Sequence, residues 1–363
     1  MSAPATDPVL AELRDRVRAA AAAREPLCIR GAGTKDFYGQ PPVGQPLDMR
    51  GCRGIVSYEP TELVIRARCG TPLAEVEAAL AERGQMLAFE PPAFGRAATI
   101  GGVIAAGLSG PRRASAGAAR DFVLGATLLD ALGRELRFGG QVMKNVAGYD
   151  VSRLACGSLG ILGPIVEVSL KVLPRPPAEI SVRLRIDEAG ALRAVNEWGG
   201  QPLPLSASAW CEGVLTLRLS GAAAAVEAAA ARFEREHGAQ RLDVAQAAAY
   251  WAGIREQSDP FFEGARPLWR LSLPATAPVV DLPGARMFEW GGAQRWLRSD
   301  MPAEAVRAAA ARVGGTATLF RGGDRSAGVF HPLAPVNAAL QRRLKEAFDP
   351  GRIFNPGRMY PDL

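Results

Sequence analysis

The residues best suited to chemistry in this 363-residue chain are glycines grouped with small polar side chains. The first group, residues 31–35, reads Gly-Ala-Gly-Thr-Lys and follows a short apolar segment. Such a turn can direct several backbone N–H groups at one anion, and its threonine and lysine add a hydroxyl and a positive charge. A dinucleotide-fold fingerprint would need a third glycine where the chain has Asp36, and a P-loop would need the order Gly-Lys-Thr. The turn therefore predicts an anion site of another kind.

A second glycine-rich group lies about 70 residues later, at residues 98–107, and contains the consecutive Gly101 and Gly102. Two glycines at the start of a helix let the backbone approach a pyrophosphate with no side chain between them. Close packing between helices calls for the same small residues. The residue types alone leave both interpretations open.

Metal and cysteine chemistry is limited by the few residues that could perform it. The chain has five cysteines, and the nearest pair, Cys52 and Cys69, is 17 positions apart, so no CxxC or iron–sulfur motif exists. His237 and His331 are the two histidines, too few for a multi-histidine metal site. Dispersed cysteines indicate reduced thiols and a cytosolic setting. We therefore predict no metal site and expect the chemistry to depend on a bound cofactor.

Charge and hydropathy exclude several classes of protein. The formal charge is +6, but the arginines are scattered with no basic run and no interleaved aromatic residues, which argues against nucleic-acid binding. The longest weakly polar stretch, residues 97–108, is too short and too rich in glycine to span a bilayer. With 48% hydrophobic and 22% charged residues, the composition is that of a globular protein, which we expect to be cytoplasmic.

The elements that must position the glycine-rich groups follow from hydrophobic periodicity. The order of these elements differs from the βαβ opening of a doubly wound fold. The predicted elements are a helix at 7–24, strands at 27–30, 55–58 and 63–68, a helix at 71–83, a hairpin of 123–129 with 135–138, and a strand at 165–172.

The proline-rich run at residues 174–177 predicts a boundary, after which a second α+β unit begins. Its predicted strands and helices lie at 181–186, 188–198, 205–210, 214–219 and 222–237, and a last helix lies at 335–348. Five of the six tryptophans lie in the middle and later part of this unit. Because aromatic residues and arginine are enriched at interface centres, we expect the face at residues 250–269 to contact a partner subunit.

Taken together, these segments resemble a known family. The runs IRGAGTK, AATIGGVIAAGLSGPRR, DFVLG and KNVAGYDVSRLACGSLGILGPIVEVSLKVLP look like the FAD-binding domain of the vanillyl-alcohol oxidase/p-cresol methylhydroxylase (PCMH) family. The tail FDPGRIFNPGRMYPDL is similar to that of its 2-hydroxyacid dehydrogenase branch. The resemblance covers residues 27–173 and 328–363, and between 178 and 327 only the length agrees.

The resemblance implies an α+β fold in which a two-subdomain PCMH-type FAD-binding domain carries a smaller α+β cap domain. The FAD-binding domain would span residues 1–176, with subdomains of about 1–58 and 59–176. The cap would span residues 177–334. Residues 335–363 would form a C-terminal helix and a tail that return to the FAD-binding domain.

Motif by motif, the resemblance also implies where FAD binds, without a covalent bond. Its pyrophosphate would lie between residues 31–35 and residues 99–102, and residues 157–163 with the start of the next strand would line the adenine or the flavin. Lys144 or Asn145 would lie near the flavin ring, where a cation favours the anionic reduced form. The expected cofactor-binding residues are Arg30, Gly31, Ala32, Gly33, Thr34, Lys35, Thr99, Ile100, Gly101, Gly102, Lys144, Asn145, Gly157, Gly160, Ile165, Val166 and Asn355.

The implied function is that of an oxidoreductase, the FAD-binding subunit of a glycolate (D-2-hydroxyacid) dehydrogenase complex. Glycolate would be oxidised to glyoxylate and its electrons passed through flavin to an iron–sulfur partner. The expected partners are a catalytic flavin subunit, an iron–sulfur subunit and a small 2-hydroxy acid, with only peripheral contact to the inner membrane through the complex. Two alternatives stay open: an assembly subunit whose FAD is structural or absent, and an autonomous FAD-dependent oxidoreductase of another 2-hydroxy acid.

The chain departs from the family pattern in two places. Most relatives carry Gly-Ser-Glu-Gly-Thr-Leu-Gly where this chain has Leu159 and Ile161 in place of the glutamate and the threonine. Residues 178–335 also lack the HxxGDGNxH motif with which the branch's dehydrogenases bind metal. Oxidation of a 2-hydroxy acid needs a cation for the carboxylate and a base for the hydroxyl proton. Arginines can supply the cation, but no residue can be named as the base, so we expect little turnover of glycolate by the isolated chain.

Overall fold

The computed structural model describes residues 7–140 and 150–363. In these ranges the α-helices are α1 (Pro8–Ala23), α2 (Leu73–Ala81), α3 (Ile100–Ala106), α4 (Arg113–Ala116), α5 (Ala119–Phe122), α6 (Val151–Ala155), α7 (Glu188–Gly199), α8 (Ala223–His237), α9 (Val244–Glu256), α10 (Ala303–Arg312) and α11 (Pro335–Phe348). Short 3-10 helices lie at Pro260–Phe262 and Trp290–Gly292.

The strands of the same ranges, in chain order, are β1 (Leu27–Arg30), β2 (Gln45–Asp48), β3 (Ile55–Glu59), β4 (Val64–Arg68), β5 (Gln85–Met86), β6 (Val123–Leu129), β7 (Glu135–Gly139), β8 (Ile165–Lys171), β9 (Leu173–Pro174), β10 (Ala178–Arg185), β11 (Leu205–Cys211), β12 (Val214–Gly221), β13 (Gln240–Arg241), β14 (Leu268–Ser272), β15 (Ala285–Glu289), β16 (Gln294–Arg298) and β17 (Thr316–Arg321).

The N-terminal part begins with α1 and a small parallel pair of strands. Asp7 caps α1 by accepting a hydrogen bond from the backbone N–H of Val9 at 3.0 Å, and Pro8 occupies the first helical turn, where no hydrogen bond from its nitrogen is needed. β1 pairs with β2, and Phe354 from the far end of the chain forms a parallel bridge to Leu27. The C-terminal tail is therefore part of this small layer.

The first large sheet is antiparallel, and within the described residues its strand order is β3-β4-β8-β6-β7. Helix α3 packs on β4 and β8, and α2 packs beside α3. Val103 and Ile104 of α3 are buried against Val168 and Leu170 of β8. Because the apolar side of α3 faces this sheet, the backbone at the start of the helix is held at a fixed distance from β4.

The second large sheet is also antiparallel, with the order β13-β10-β12-β11-β15-β16-β14-β17 among the described strands. Val182 and Leu217 of this sheet are buried against Phe233 of α8 and Trp198 of α7. At the other end, Val306 of α10 packs against the strands β14, β16 and β17. The two large sheets belong to separate hydrophobic clusters, and a third cluster lies between them.

Periodicity predicted most of the elements before β13. The strand at 27–30 and the helix at 335–348 agree to the residue, and the helix expected at 71–83 is shorter. The strands β14 to β17 and the helices α9 and α10 were not predicted. The domain limits at 176 and 334 stay predictions.

The tryptophans of the second unit pack within the chain. Trp251, Trp269 and Trp296 are all buried, and the ring nitrogen of Trp251 donates to Oγ of Ser181 at 2.9 Å. Phe261 and Phe262 are buried as well. These rings give no support to the partner face expected at residues 250–269, because their apolar surface is already covered.

Candidate functional site

A cleft lies between the end of β1 and the start of α3, and a second cavity continues it below the turn at 159–163. We call the two together the glycine cleft. Of the residues predicted to bind the cofactor, those that line the glycine cleft are Arg30, Gly31, Ala32, Gly33, Thr34, Lys35, Thr99, Gly101, Gly102, Gly160, Ile165 and Asn355.

The turn at residues 31–35 presents a row of free donors to the glycine cleft. The backbone N–H groups of these five residues have no hydrogen-bond acceptor among the described residues, and all five residues are half-buried. Gly33 has φ +75°, a conformation that glycine adopts without strain. Half-buried N–H groups without acceptors favour an anionic ligand, since an unpaired donor away from water costs free energy.

The two walls of the cleft approach each other at Gly31 and Thr99. A Cβ atom on Gly31 would lie 2.4 Å from Oγ1 of Thr99, so no side chain fits there. The same Oγ1 caps α3 by accepting the N–H of Gly102 at 3.2 Å. Glycine at position 31 therefore keeps the cleft narrow, as binding of a flat, extended group by backbone atoms requires.

The two consecutive glycines of α3 differ in their surroundings. The N–H of Gly101 donates to the carbonyl of Cys69 at 2.8 Å, and a Cβ on Gly101 would lie 2.6 Å from Cβ of Cys69. Gly102 lines both parts of the cleft, and a Cβ there would meet only Oγ1 of Thr99, at 3.3 Å. Ile100 is fully buried, and its N–H donates to the carbonyl of Thr71. Gly101 thus serves packing against β4, while Gly102 is open to the cleft.

Positive charge at the cleft comes from Arg30, Lys35 and Arg358. Arg30 forms an ion pair with Asp36. Nζ of Lys35 lies 3.1 Å from the carbonyl of Ala93, and burial lowers the pKa of Lys35 to about 8, although the charge of Glu256 acts in the opposite direction. An anion in the cleft would stabilise the charged form of this lysine.

The C-terminal tail holds the cleft from behind. Oδ1 of Asn355 accepts the N–H of Ile29 at 2.7 Å, and its Nδ2 donates to the carbonyl of Leu159 at 2.6 Å. Arg358 donates to the carbonyls of Gln40 and Asp36. Sequence reasoning included Asn355 but missed Arg358, although both belong to the same Asn-Pro-Gly-Arg motif.

Three of the predicted residues, Ile100, Gly157 and Val166, are described by the structure and do not line the glycine cleft. Gly157 donates its N–H to the carbonyl of Ile104 at 2.9 Å and packs on Gly107, outside the glycine cleft. Val166 is buried in the cluster beneath α1. Lys144 and Asn145 lie outside the described residues.

No three His, Cys, Asp or Glu side chains within 7–140 and 150–363 form a group that could hold a metal ion. In the same two ranges, no helix has the length and hydropathy needed to cross a membrane.

Comparison with known proteins places the chain among flavin-binding relatives. A family model described as an FAD binding domain matches residues 10–139. Glycolate oxidase subunit GlcE of Escherichia coli (strain K12) is 47% identical over 351 residues, which is 97% of both chains. Glycolate oxidase subunit GlcD of Bacillus subtilis (strain 168) is 32% identical over 155 residues, 42% of this chain and 33% of that protein.

Two more similarities cover a smaller part of the chain or concern its fold alone. D-lactate dehydrogenase of Anaerostipes hadrus is 32% identical over 128 residues, 35% of this chain and 26% of that protein. The solved structure of alkyldihydroxyacetonephosphate synthase superposes with a TM-score of 0.65 at 15% identity, covering 95% of this chain and 75% of that one. At this identity the structural match shows the fold alone, and it confirms the predicted α+β class.

Proposed function

The chain belongs to the family of glycolate oxidase subunit GlcE, and from this premise we propose that it is the FAD-binding subunit of a glycolate-oxidising complex. It is an FAD-dependent oxidoreductase of a family whose relatives act on CH–OH donors. FAD is its cofactor, and when bound FAD supplies the acceptor for the two electrons removed from a 2-hydroxy acid.

The observation that carries the assignment of FAD to the glycine cleft is the row of free N–H groups at residues 31–35. A pyrophosphate needs several donors that converge without side chains between them, and the absence of a side chain at Gly102 supports such an approach. Lys35 adds a positive charge to the same wall. In this proposal, residues 31–35 bind the pyrophosphate, and Thr99, Gly102 and Asn355 shape the opposite wall.

The remaining predicted contacts belong to the same proposal. Ile165 and Gly160 line the deeper part of the cleft, where backbone atoms of the turn can contact a ring of the cofactor. Lys144 or Asn145 stays the candidate for the flavin ring. Residues 1–176 would constitute the FAD-binding domain, and residues 177–334 would cover it as a cap.

The proposal also includes the partner subunits of the complex. The relatives named GlcE and GlcD are both glycolate oxidase subunits, which supports assembly of this chain with a second flavin subunit. Electrons would leave through an iron–sulfur partner, and the complex would contact the inner membrane peripherally. The missing HxxGDGNxH motif supports a subunit that depends on its partners for turnover.

The proposal is tested by purifying the chain alone and together with the flavin and iron–sulfur subunits. The single chain should show the visible spectrum of non-covalent FAD and little change with glycolate, whereas the complex should bleach and transfer electrons. A colourless chain that also fails to bind added FAD contradicts the cofactor assignment. Dye-linked turnover by the single chain supports the autonomous enzyme, and a complex that turns over equally without FAD in this subunit supports the assembly subunit.

A further inference from the structure

The second unit reaches the wall of the glycine cleft through one glutamate of α9. Oε2 of Glu256 accepts the backbone N–H groups of Ala93 and Phe94, at 3.0 and 2.9 Å. Its other oxygen, Oε1, accepts Nε of Arg255 at 2.9 Å. Because a carboxylate forms strong hydrogen bonds with backbone N–H groups, this contact fixes residues 93–94 against the end of α9.

The same two residues hold the ammonium group of Lys35. Nζ of Lys35 donates to the carbonyl of Ala93 at 3.1 Å and lies 5.6 Å from the centroid of the Phe94 ring. Lys35 lines the glycine cleft. The carboxylate of Glu256 therefore acts on a wall of the cleft through two intervening residues.

The segment at residues 90–94 has a backbone conformation that its surroundings must stabilise. Glu90 has φ +47° and Phe94 has φ +52°, in the left-handed region that costs free energy for residues other than glycine. The carboxylate of Glu90 accepts Nη2 of Arg218, in β12, at 2.9 Å, and Phe94 donates its N–H to Glu256. Both ends of the segment are thus bound to the second unit, so the shape of the segment depends on that unit.

Arg321 of β17 adds another link to Phe94. Its guanidinium lies 4.5 Å from the centroid of the Phe37 ring and 5.7 Å from that of the Phe94 ring. Its Nη2 donates to Oε1 of Gln257 at 2.9 Å, and Gln257 is the C-terminal cap of α9, directly after Glu256. The end of α9 and the end of β17 therefore hold Phe94 together.

We propose that Glu256 is a positioning residue of the cofactor site, which fixes Ala93 and Phe94 and through them holds the ammonium group of Lys35 at the wall of the glycine cleft. The contacts stand on geometry, and the proposal rests on the proposed function only in taking FAD as the anion that Lys35 meets. The second unit then contributes to cofactor affinity without touching the cofactor at this residue.

The charges around Lys35 predict the sign of the effect. Burial lowers the pKa of Lys35 to about 8, and the negative charge of Glu256 acts in the opposite direction. Removing that charge therefore lowers the pKa further, so the ammonium group loses its proton at a lower pH. The other charged groups that face this lysine are Arg255, which is paired with Glu256, Arg321, Arg358 and the ion pair of Arg30 with Asp36.

The first test uses the chain without cofactor. The chain has four lysines, so trace labelling with acetic anhydride, which reacts with the neutral amine, can follow each of them by peptide mass spectrometry. Lys35 should titrate with a pKa of about 8 in the wild type and at a lower pH in Glu256→Gln, whose amide oxygen can still accept the N–H groups. Glu263→Gln, at an exposed position seven residues later, is the matched control and should leave Lys35 unchanged.

The second test measures the dissociation constant of FAD for the same variants. At about pH 6.5, where Lys35 is charged in both, Glu256→Gln should differ from the wild type by less than about threefold. Its affinity should then begin to fall at a lower pH than that of the wild type. Glu256→Ala, which also loses the hydrogen bonds to Ala93 and Phe94, should bind FAD about tenfold more weakly throughout. A glutamate that only stabilised the fold would weaken binding equally at every pH, and Glu256→Gln alone decides the question if Glu256→Ala does not fold.

The outcomes separate this inference from the proposed function. If Lys35 titrates alike in the wild type and in Glu256→Gln, or shifts equally in Glu263→Gln, the inference is wrong while the cofactor assignment stands. If the titration shifts but Glu256→Gln and Lys35→Met bind FAD with the pH dependence of the wild type, Lys35 does not meet the cofactor. Both the inference and the placement of FAD at residues 31–35 are then wrong. A titration and an FAD affinity that shift together support the inference.

Discussion

The ammonium group of Lys345 lies 2.7 Å from Oδ2 of Asp349, and both side chains are fully buried. Nζ of Lys345 also donates to the carbonyls of Ile161 and Phe354, at 2.8 and 2.7 Å. One buried cation thus joins α11, the turn that lines the glycine cleft and the tail that pairs with β1. The position of the cleft's rear wall depends on this ion pair.

Replacing Lys345 with methionine should lower the free energy of unfolding by about 3 kcal/mol, because it leaves Asp349 buried without its counter-ion. The carboxylate keeps the N–H groups of Ile353 and Phe354, which places the expected loss at the lower end for a broken buried pair. Urea unfolding measures the change. Lys171→Met, at the end of β8, is the control, and equal losses in the two variants would contradict a special role for the pair.

Gly102→Val and Gly101→Val should separate cofactor binding from packing. The Cβ of valine at 102 would lie 3.3 Å from Oγ1 of Thr99 and its methyl groups would enter the cleft, so FAD affinity should fall more than about tenfold while the apoprotein unfolds within about 1 kcal/mol of the wild type. Valine at 101 collides with Cys69 and should destabilise the apoprotein by about 1–3 kcal/mol. FAD titration and thermal unfolding of the apoprotein measure both effects. If the two variants behave alike, the difference between the glycines has no functional meaning.

The affinity for FAD should fall as the pH rises above about 8. The pKa of Lys35 is lowered to about 8 by burial, and a bound phosphate raises it again, so binding takes up a proton above this pH. The fall is limited to tenfold per pH unit for a single group. Dissociation constants measured between about pH 7.5 and 9.5 test this. Lys35→Met should bind FAD more weakly and without that slope, whereas a slope retained in Lys35→Met would assign the proton to another group.

The sequence predicted the elements whose signals are local. The strand at 27–30 is a short apolar run that ends in a glycine turn, and the helix at 335–348 begins with a proline, so both were placed to the residue. β16 was not predicted because all five of its residues, including Arg295 and Arg298, are buried. Its arginines donate to backbone carbonyls such as that of Pro278, and such pairing erases the alternation of polar and apolar positions.

The candidate site was predictable to the extent that its residues are neighbours in the chain. The turn at 31–35 and the glycines of α3 were recognised from their types and spacing. Arg358 was not, because only the fold brings it to the carbonyls of Gln40 and Asp36, which lie more than 300 positions away in the chain.

The link from Asn355 to Ile29 has a consequence for biosynthesis. The donor, the N–H of Ile29, and the acceptor, Oδ1 of Asn355, are 326 positions apart. Arg358, also in the tail, donates to the carbonyl of Asp36, directly after the glycine turn. During translation, residues 31–35 are made early, whereas the tail residues that close the rear of the cleft are made only near the end of synthesis. With FAD bound at the glycine cleft as proposed, loading of the cofactor would follow synthesis of the tail. A truncated product that stops before Asn355 would contain both glycine-rich groups but would lack the tail residues that close the rear of the cleft.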